Sequence, residues 1–263
     1  MRNLLKSEFR KVIYTKSFYG YLVGAIFLAL LASFPAAYSI HALKSQLNGA
    51  SLMDPQLVAG VYGKAISGYL FTMILGIAFI GNEYQSGQIV STFLATPQRF
   101  KVLCAKLVVA ACAGIFIMVI STLIGFGGAY LGLSHYPHAK AGLSIFLNLL
   151  LAAVISGAVI SIMGVAIGAL IRNVKVAQVG AIIWLFVVEK LIVVFWSTGG
   201  KFLPSGLIVG MLNVHIDLKS SESFLNISTT NYFGVGASIA LMLAYAAAFA
   251  FIGSWITLRR DVD

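Results

Sequence analysis

Six long apolar runs leave this chain few ways to fold. They cover residues 18–40, 65–81, 107–131, 143–171, 177–196 and 234–258. Each comes close to the roughly 20 helical residues that cross a hydrocarbon core of about 30 Å. Backbone polar groups in lipid must be satisfied within the element, so a spanning segment is a helix or a strand of a closed barrel. None of the runs alternates at period 2, and helices are therefore predicted. Composition agrees: 60% of the 263 residues are hydrophobic and 10% charged, where a soluble domain carries about 25% charged residues. The expected fold class is all-α integral membrane, a single transmembrane domain over residues 1–263 with six spans. The first run is too long for the apolar region of a cleaved signal peptide.

Between the second and third runs, residues 81–106 form a polar, basic stretch that must lie at one face of the bilayer. The basic residues show which face. Twelve fall on one side: Arg2, Lys6, Arg10, Lys11 and Lys16, then Arg99, Lys101 and Lys106, then Arg172 and Lys175, then Arg259 and Arg260. Lys44, Lys140, Lys201 and Lys219 fall on the other, with Lys64 and Lys190 at span edges. The positive-inside rule places the twelve, and both termini, in the cytoplasm. The formal net charge of +10 is then an orientation signal with anionic lipid as partner, and it does not call for nucleic acid.

Residues 1–17 are predicted to form an amphipathic helix, with Arg2, Lys6 and Arg10 on one face and Leu5, Phe9 and Val12 on another. Such a helix lies in the interface plane. It either anchors the first span or acts as an elbow that transmits force. Pro35 is expected to kink or end the first span, and residues 41–63 to form an outer loop. Gly157, Gly164 and Gly168 in the fourth run point to close helix packing, the last two with GxxxG spacing. Residues 197–233 contain about ten apolar residues around Pro204, too few to span, and are expected to form a re-entrant outer hairpin before the sixth span. Asn226, Ile227 and Ser228 match a glycosylation triplet that nothing else in the sequence supports. Cys104 and Cys112, eight apart on one predicted helix, stand about 12 Å apart by helical rise, too far for a disulfide, and read as small buried residues.

Catalytic motifs are missing from the sequence. It has no phosphate-binding GxxxxGK[ST], no HExxH, no cysteine–histidine metal spacing and no GxSxG. His41, His135, His138 and His215 all fall in predicted outer loops, and no metal site is expected. No acids are paired mid-span, as ion-coupled transport would require. Glu189 and Lys190, in WLFVVEKLIVVFW, are the exception. Charges at that depth are costly and mark a possible intramembrane polar site. Adjacent helical residues point about 100° apart, so the two need not pair. Glu189 either bonds polar groups of the outer segment or lines a substrate path, while Lys190 snorkels outward.

Together these features resemble the membrane subunit of type-2 ABC exporters, the ABC-2 permease family, over essentially the whole chain. Members carry a Glu-Tyr/Arg-x-x-Gly-Thr-like element after the second span, then a small-residue/Pro/Arg element leading into a Lys-containing third span. Here these read EYQSGQI (Glu83, Tyr84, Gly87, Gln88) and ATPQRFKVLCAKL (Pro97, Arg99, Lys106), with Gln88 where Thr is usual. The opening SEFRK, the FLP at 202–204 and the closing RRDV are also similar. The resemblance implies that the connection after span 2 carries a cytoplasmic coupling helix that docks on a separate ABC ATPase, with Glu83, Tyr84, Gly87, Gln88, Pro97 and Arg99 at that contact. It makes residues 1–17, with Arg2, Lys6 and Arg10, the elbow helix. It implies a half-transporter in the bacterial plasma membrane that pairs with a second copy or a paralogue through the first, second and fifth spans. Such a chain has no catalytic residues or cofactor of its own; ATP and Mg2+ belong to the partner ATPase. The cargo would be an amphipathic drug, peptide antibiotic or lipid, as in subfamilies linked to drug resistance or lantibiotic self-protection. A standalone integral-membrane enzyme and an ion-coupled secondary transporter are the alternatives.

Overall fold

The computed structural model describes residues 2–43, 55–88, 99–134, 142–171, 173–212 and 232–259. Among the described residues every regular element is helical. In chain order they are α1 (Arg2–Tyr14), α2 (Lys16–Leu43), α3 (Pro55–Gly63), a 3-10 segment (Lys64–Gly68), α4 (Tyr69–Gln85), α5 (Arg99–Gly132), α6 (Leu143–Leu170), α7 (Val174–Ile183), a π-helical turn (Trp184–Val188), α8 (Glu189–Phe195), a second 3-10 segment (Ser197–Phe202), α9 (Pro204–Met211) and α10 (Val235–Arg259). Six segments are long and apolar enough to cross a membrane: Lys16–Tyr38, Val58–Gln85, Phe100–Gly132, Leu143–Leu170, Val174–Phe195 and Val235–Gly253.

The boundaries shift where apolarity alone drew them. The second span begins seven residues before 65, because α3, the 3-10 segment and α4 run on without a break. Lys64 interrupts the apolar run but not the helix, and its side chain is exposed at the junction. Residues 55–63 are therefore helix and not outer loop. The third helix starts at Arg99, since Arg, Lys, Leu and Ala all favour helix. Lys106 is thus a helical residue and not a loop residue. Pro35 does not end α2, which continues to Leu43 and takes in His41. Of the two cysteines, Cys104 is half-buried and Cys112 exposed, so Cys112 is not a core residue. Pro97, His135, His138, His215 and the triplet at Asn226 lie outside the described residues.

Helix α6 forms the centre, packed on α4, α5 and α10, while α2 lies on α5. Within the protein, 72% of the most apolar window of the second span and 61% of the fourth are buried, against 22%, 17% and 11% for the first, fifth and sixth. The second span is therefore an internal element, and the first, fifth and sixth hold the outward faces. The close approach rests on glycine. A Cβ at Gly164 would be driven into the Met73 carbonyl oxygen and lie 3.0 Å from Gly76 Cα. Gly168 faces the Ile77 carbonyl, and Gly157 meets Gly114 of α5. Ser161 adds a hydrogen bond from its hydroxyl to the Ala110 carbonyl, 2.7 Å away on α5. In lipid, where no hydrophobic drive pulls helices together, such small-residue contacts and interhelical bonds carry the association.

Candidate functional site

Eight acidic residues occur in the whole chain, and the described residues hold three of them: Glu8, Glu83 and Glu189. Two of these meet. Glu8 lies on α1, Glu83 in the last turn of α4 and Lys106 in the second turn of α5. With Lys11 they close a ring of four ion pairs in which charges alternate. Lys11 Nζ donates to Glu8 Oε1 at 2.8 Å and to Glu83 Oε1 at 3.0 Å. Lys106 Nζ donates to Glu8 Oε2 at 2.9 Å and to Glu83 Oε2. All four carboxylate oxygens are occupied. Lys106 Nζ also stands 5.3 Å from the centre of the Phe79 ring, within cation–π range.

The ring is buried except at one corner. Glu8 and Lys106 are each 1% exposed and Glu83 5%, while the Lys11 side chain keeps 39% of its surface. Charges taken out of water are costly unless fully paired and hydrogen-bonded, and the ring meets that condition with equal numbers of each sign. Its effect is geometric. It ties α1 to the two helix ends that flank residues 86–98.

Titration follows the pairing. Burial pushes the Glu8 carboxyl up, but Lys106 beside it and the bonds from Lys11 and Lys106 outweigh this and hold it below its ordinary 4.5. Burial pulls Lys11 down, but its bond to Glu8 and the Glu83 charge leave it above its ordinary 10.5. A lowered acid contributes stability that is present above 4.5 and lost as pH falls through the folded value. A raised lysine contributes stability that is present below 10.5 and lost as pH rises through the folded value. Docking of α1 is therefore expected to be flat from about pH 5 to 10 and to weaken outside that window. Hydrogen exchange of the α1 amides across that range checks it; a midpoint near neutrality would contradict the assignment.

The other residues singled out by sequence are not all brought to this ring. Tyr84 is half-buried against Ile80, Ala110, Val165 and Ala169. Gly87 has φ +69°, the left-handed turn for which glycine is suited, and faces open space. Gln88 beside it is exposed. Arg99 opens α5. Lys6 and Arg10 point outward from α1, and Arg2 is its first residue. Leu5 and Val12 pack under α1 with Phe18, Leu75 and Val109. Phe9, grouped with them in the helical pattern, is exposed; the inner position next to it belongs to Glu8. A cavity of about 450 Å3 opens beside the ring, walled by Lys11, Asn82, Glu83, Ser86 and Gln88 on its polar side and Phe18 and Phe79 on its apolar side.

Sequence reasoning missed Glu8 and grouped Lys106 with the polar, basic stretch before the third run. The available signal was scarcity: Glu8 is the sole acid before Asp54 in a strongly basic chain.

Glu189 sits elsewhere, toward the other end of the fifth span. It is fully buried, and among the described residues neither carboxylate oxygen completes a hydrogen bond. The Ser205 hydroxyl and amide and the Trp184 ring face it. Lys190 beside it is exposed and forms no ion pair with it among the described residues.

Comparison with models of known protein families and with curated protein sequences finds no match.

Proposed function

We propose that this chain is the membrane subunit of an ATP-driven exporter of the ABC-2 type, moving an amphipathic substrate out of the cytoplasm or the inner leaflet of a bacterial plasma membrane. The observation that carries this reading is the closed ion ring. A partner pushing on residues 86–98 moves the ends of α4 and α5, and the ring passes that displacement to α1 at the same time. The alternative, an isolated anchor helix, needs no buried tie to two other helices.

In this reading α1 is the elbow, and the turn at Gly87 opens the coupling segment. Asn82, Gln85, Ser86, Gly87 and Gln88 are the exposed residues offered to the ATPase. Glu83, with both oxygens occupied, positions that surface from behind. Charge asymmetry puts this end in the cytoplasm. Residues 197–211 act as the re-entrant hairpin: the Tyr245 hydroxyl donates to the Phe202 carbonyl at 2.7 Å, and Tyr245 lies ten residues inside α10, about 15 Å from its start at 1.5 Å per residue. The outward faces of the first and fifth spans are available to a second permease. ATP and Mg2+ bind in the partner ATPase.

Co-expression with an ATPase encoded beside the gene tests this. Substitutions from Tyr84 to Ala95, Gly87→Val foremost, are expected to reduce ATPase co-purification about tenfold, the effect of losing about 1.4 kcal/mol at an interface hot spot. Membrane insertion should be unchanged. Wild-type retention of the ATPase by all such variants, or the absence of any ATPase partner, overturns the reading.

A further inference from the structure

Of the three described carboxylates, two are fully satisfied in the ring and the third is not. Glu189 is 0% exposed with two orphaned oxygens, and an unpaired buried polar group is costly to keep. The local backbone is irregular at the same place. Trp184–Val188 forms a π turn, and the Glu189 amide bonds the Trp184 carbonyl five residues back. An α-helix would set residues five apart about 140° from each other; the wider π turn brings Glu189 toward the Trp184 side. Single π turns of this kind occur often at functional sites.

Trp184 is also a wall of a second cavity, of about 480 Å3, whose lining includes Met73, Met163, Gly180, Pro204 and Phe249. That volume lies in the range of small-molecule sites, about 300–1,000 Å3. Ser205, the other group facing Glu189, directly follows Pro204 of the same wall. Glu189 itself does not line the cavity; Trp184 lines it and also faces the carboxylate. The Tyr245–Phe202 bond pins the turn at that wall.

We propose that this cavity and Glu189 form one binding site for an amphipathic cation. The apolar body fills the space among Met73, Met163 and Phe249, and an ammonium or similar head reaches the carboxylate past the Trp184 ring, which is 45% exposed. The cation supplies the opposite charge that the neutral Ser205 and Trp184 donors do not, and the soft, flexible methionines accommodate bodies of differing shape. Lys190 is exposed and forms no ion pair with the carboxylate among the described residues. The site needs no ATPase, so its success or failure is independent of the coupling reading above.

The test uses the full-length chain in phosphatidylcholine nanodiscs, with equilibrium dialysis against empty nanodiscs of the same lipid. The probes are octyltrimethylammonium, a permanent cation, and its uncharged carbon isostere 2,2-dimethyldecane. The wild-type chain is expected to prefer the cation beyond its partition into empty nanodiscs. Glu189→Gln should weaken the cation at least about thirtyfold, the low end for removing one member of a buried charge pair, and leave the isostere unchanged. Gly180→Leu should block both probes, since Gly180 lines the cavity and a Cβ there meets no atom within 4 Å, so the chain tolerates it. No cation preference in the wild-type chain, equal cation binding by Glu189→Gln, or undiminished binding by Gly180→Leu would each overturn the proposal. The wild-type comparison and Gly180→Leu decide it even where Glu189→Gln does not fold.

Discussion

Lys106→Ala is expected to undock α1 and to lower stability by about 3–5 kcal/mol, the usual cost of removing one partner from a buried charge pair. The substitution leaves Glu8 and Glu83 facing each other, with Lys11 alone to neutralise them and one oxygen of each without a donor. Thermal unfolding of the detergent-solubilised chain measures the loss, and trypsin cleavage at Lys6 and Arg10 reports the freed α1. Combining Lys106→Met with Glu8→Gln and Glu83→Gln removes the three buried charges, leaves only Lys11, whose side chain is 39% exposed, and keeps the volume. That triple variant should recover most of the stability, because uncharged side chains of similar size avoid the desolvation cost. A single variant as stable as the wild type would mean that the ring contributes nothing. A triple variant as unstable as the single would assign the effect to packing.

Gly164→Leu is expected to cost at least about 3 kcal/mol, the upper part of the range for overpacked interiors, and to abolish the folded yield. The reason is that its neighbours are backbone. Beyond the Met73 carbonyl, the Gly76 Cα and Ile77 nitrogen lie within 3.0 and 3.1 Å of the added Cβ, and a helix backbone cannot rotate away as a side chain can. Gly76 meets the same contact from the other side, with the Ser161 carbonyl and Gly164 Cα against it. The control is Gly20→Leu in α2, where a Cβ meets nothing within 4 Å; it should change stability by no more than about 0.5 kcal/mol. Size-exclusion profiles of the two variants in detergent separate the outcomes, and a monodisperse Gly164→Leu protein would refute the close packing.

Much of the fold was legible because lipid imposes a length and forbids unsatisfied backbone. Apolarity found all six spans, and glycine spacing pointed to α6 as the tightly packed one. The limits of the spans were less legible. Lys64 and the Arg99–Lys106 stretch look like loop because charge reads as water, yet a charge is carried inside a helix when it snorkels or is paired. Which spans are central could not be read from periodicity. In a soluble helix one face is polar and betrays the outside, whereas here both the core side and the lipid side are apolar. Burial of the second span and exposure of the sixth therefore came only from packing.

The same division runs through the candidate site. Local residue chemistry was sufficient for what it alone governs: Gly87 as a turn, the outward basic face of α1, and Glu189 as a charge at an uncomfortable depth. The meeting of Glu8, Lys11, Glu83 and Lys106 was not readable, because Glu8 and Lys106 are 98 positions apart and nothing along the chain encodes that separation. What the sequence by itself determined is the apolar character, the number of runs long enough to cross a membrane and the side on which charge collects, all set by the free energy of each residue in lipid. What only the tertiary structure decided is which charges find partners. That depends on distances between helices, and among the described residues it satisfied two carboxylates and left Glu189 without an ion pair.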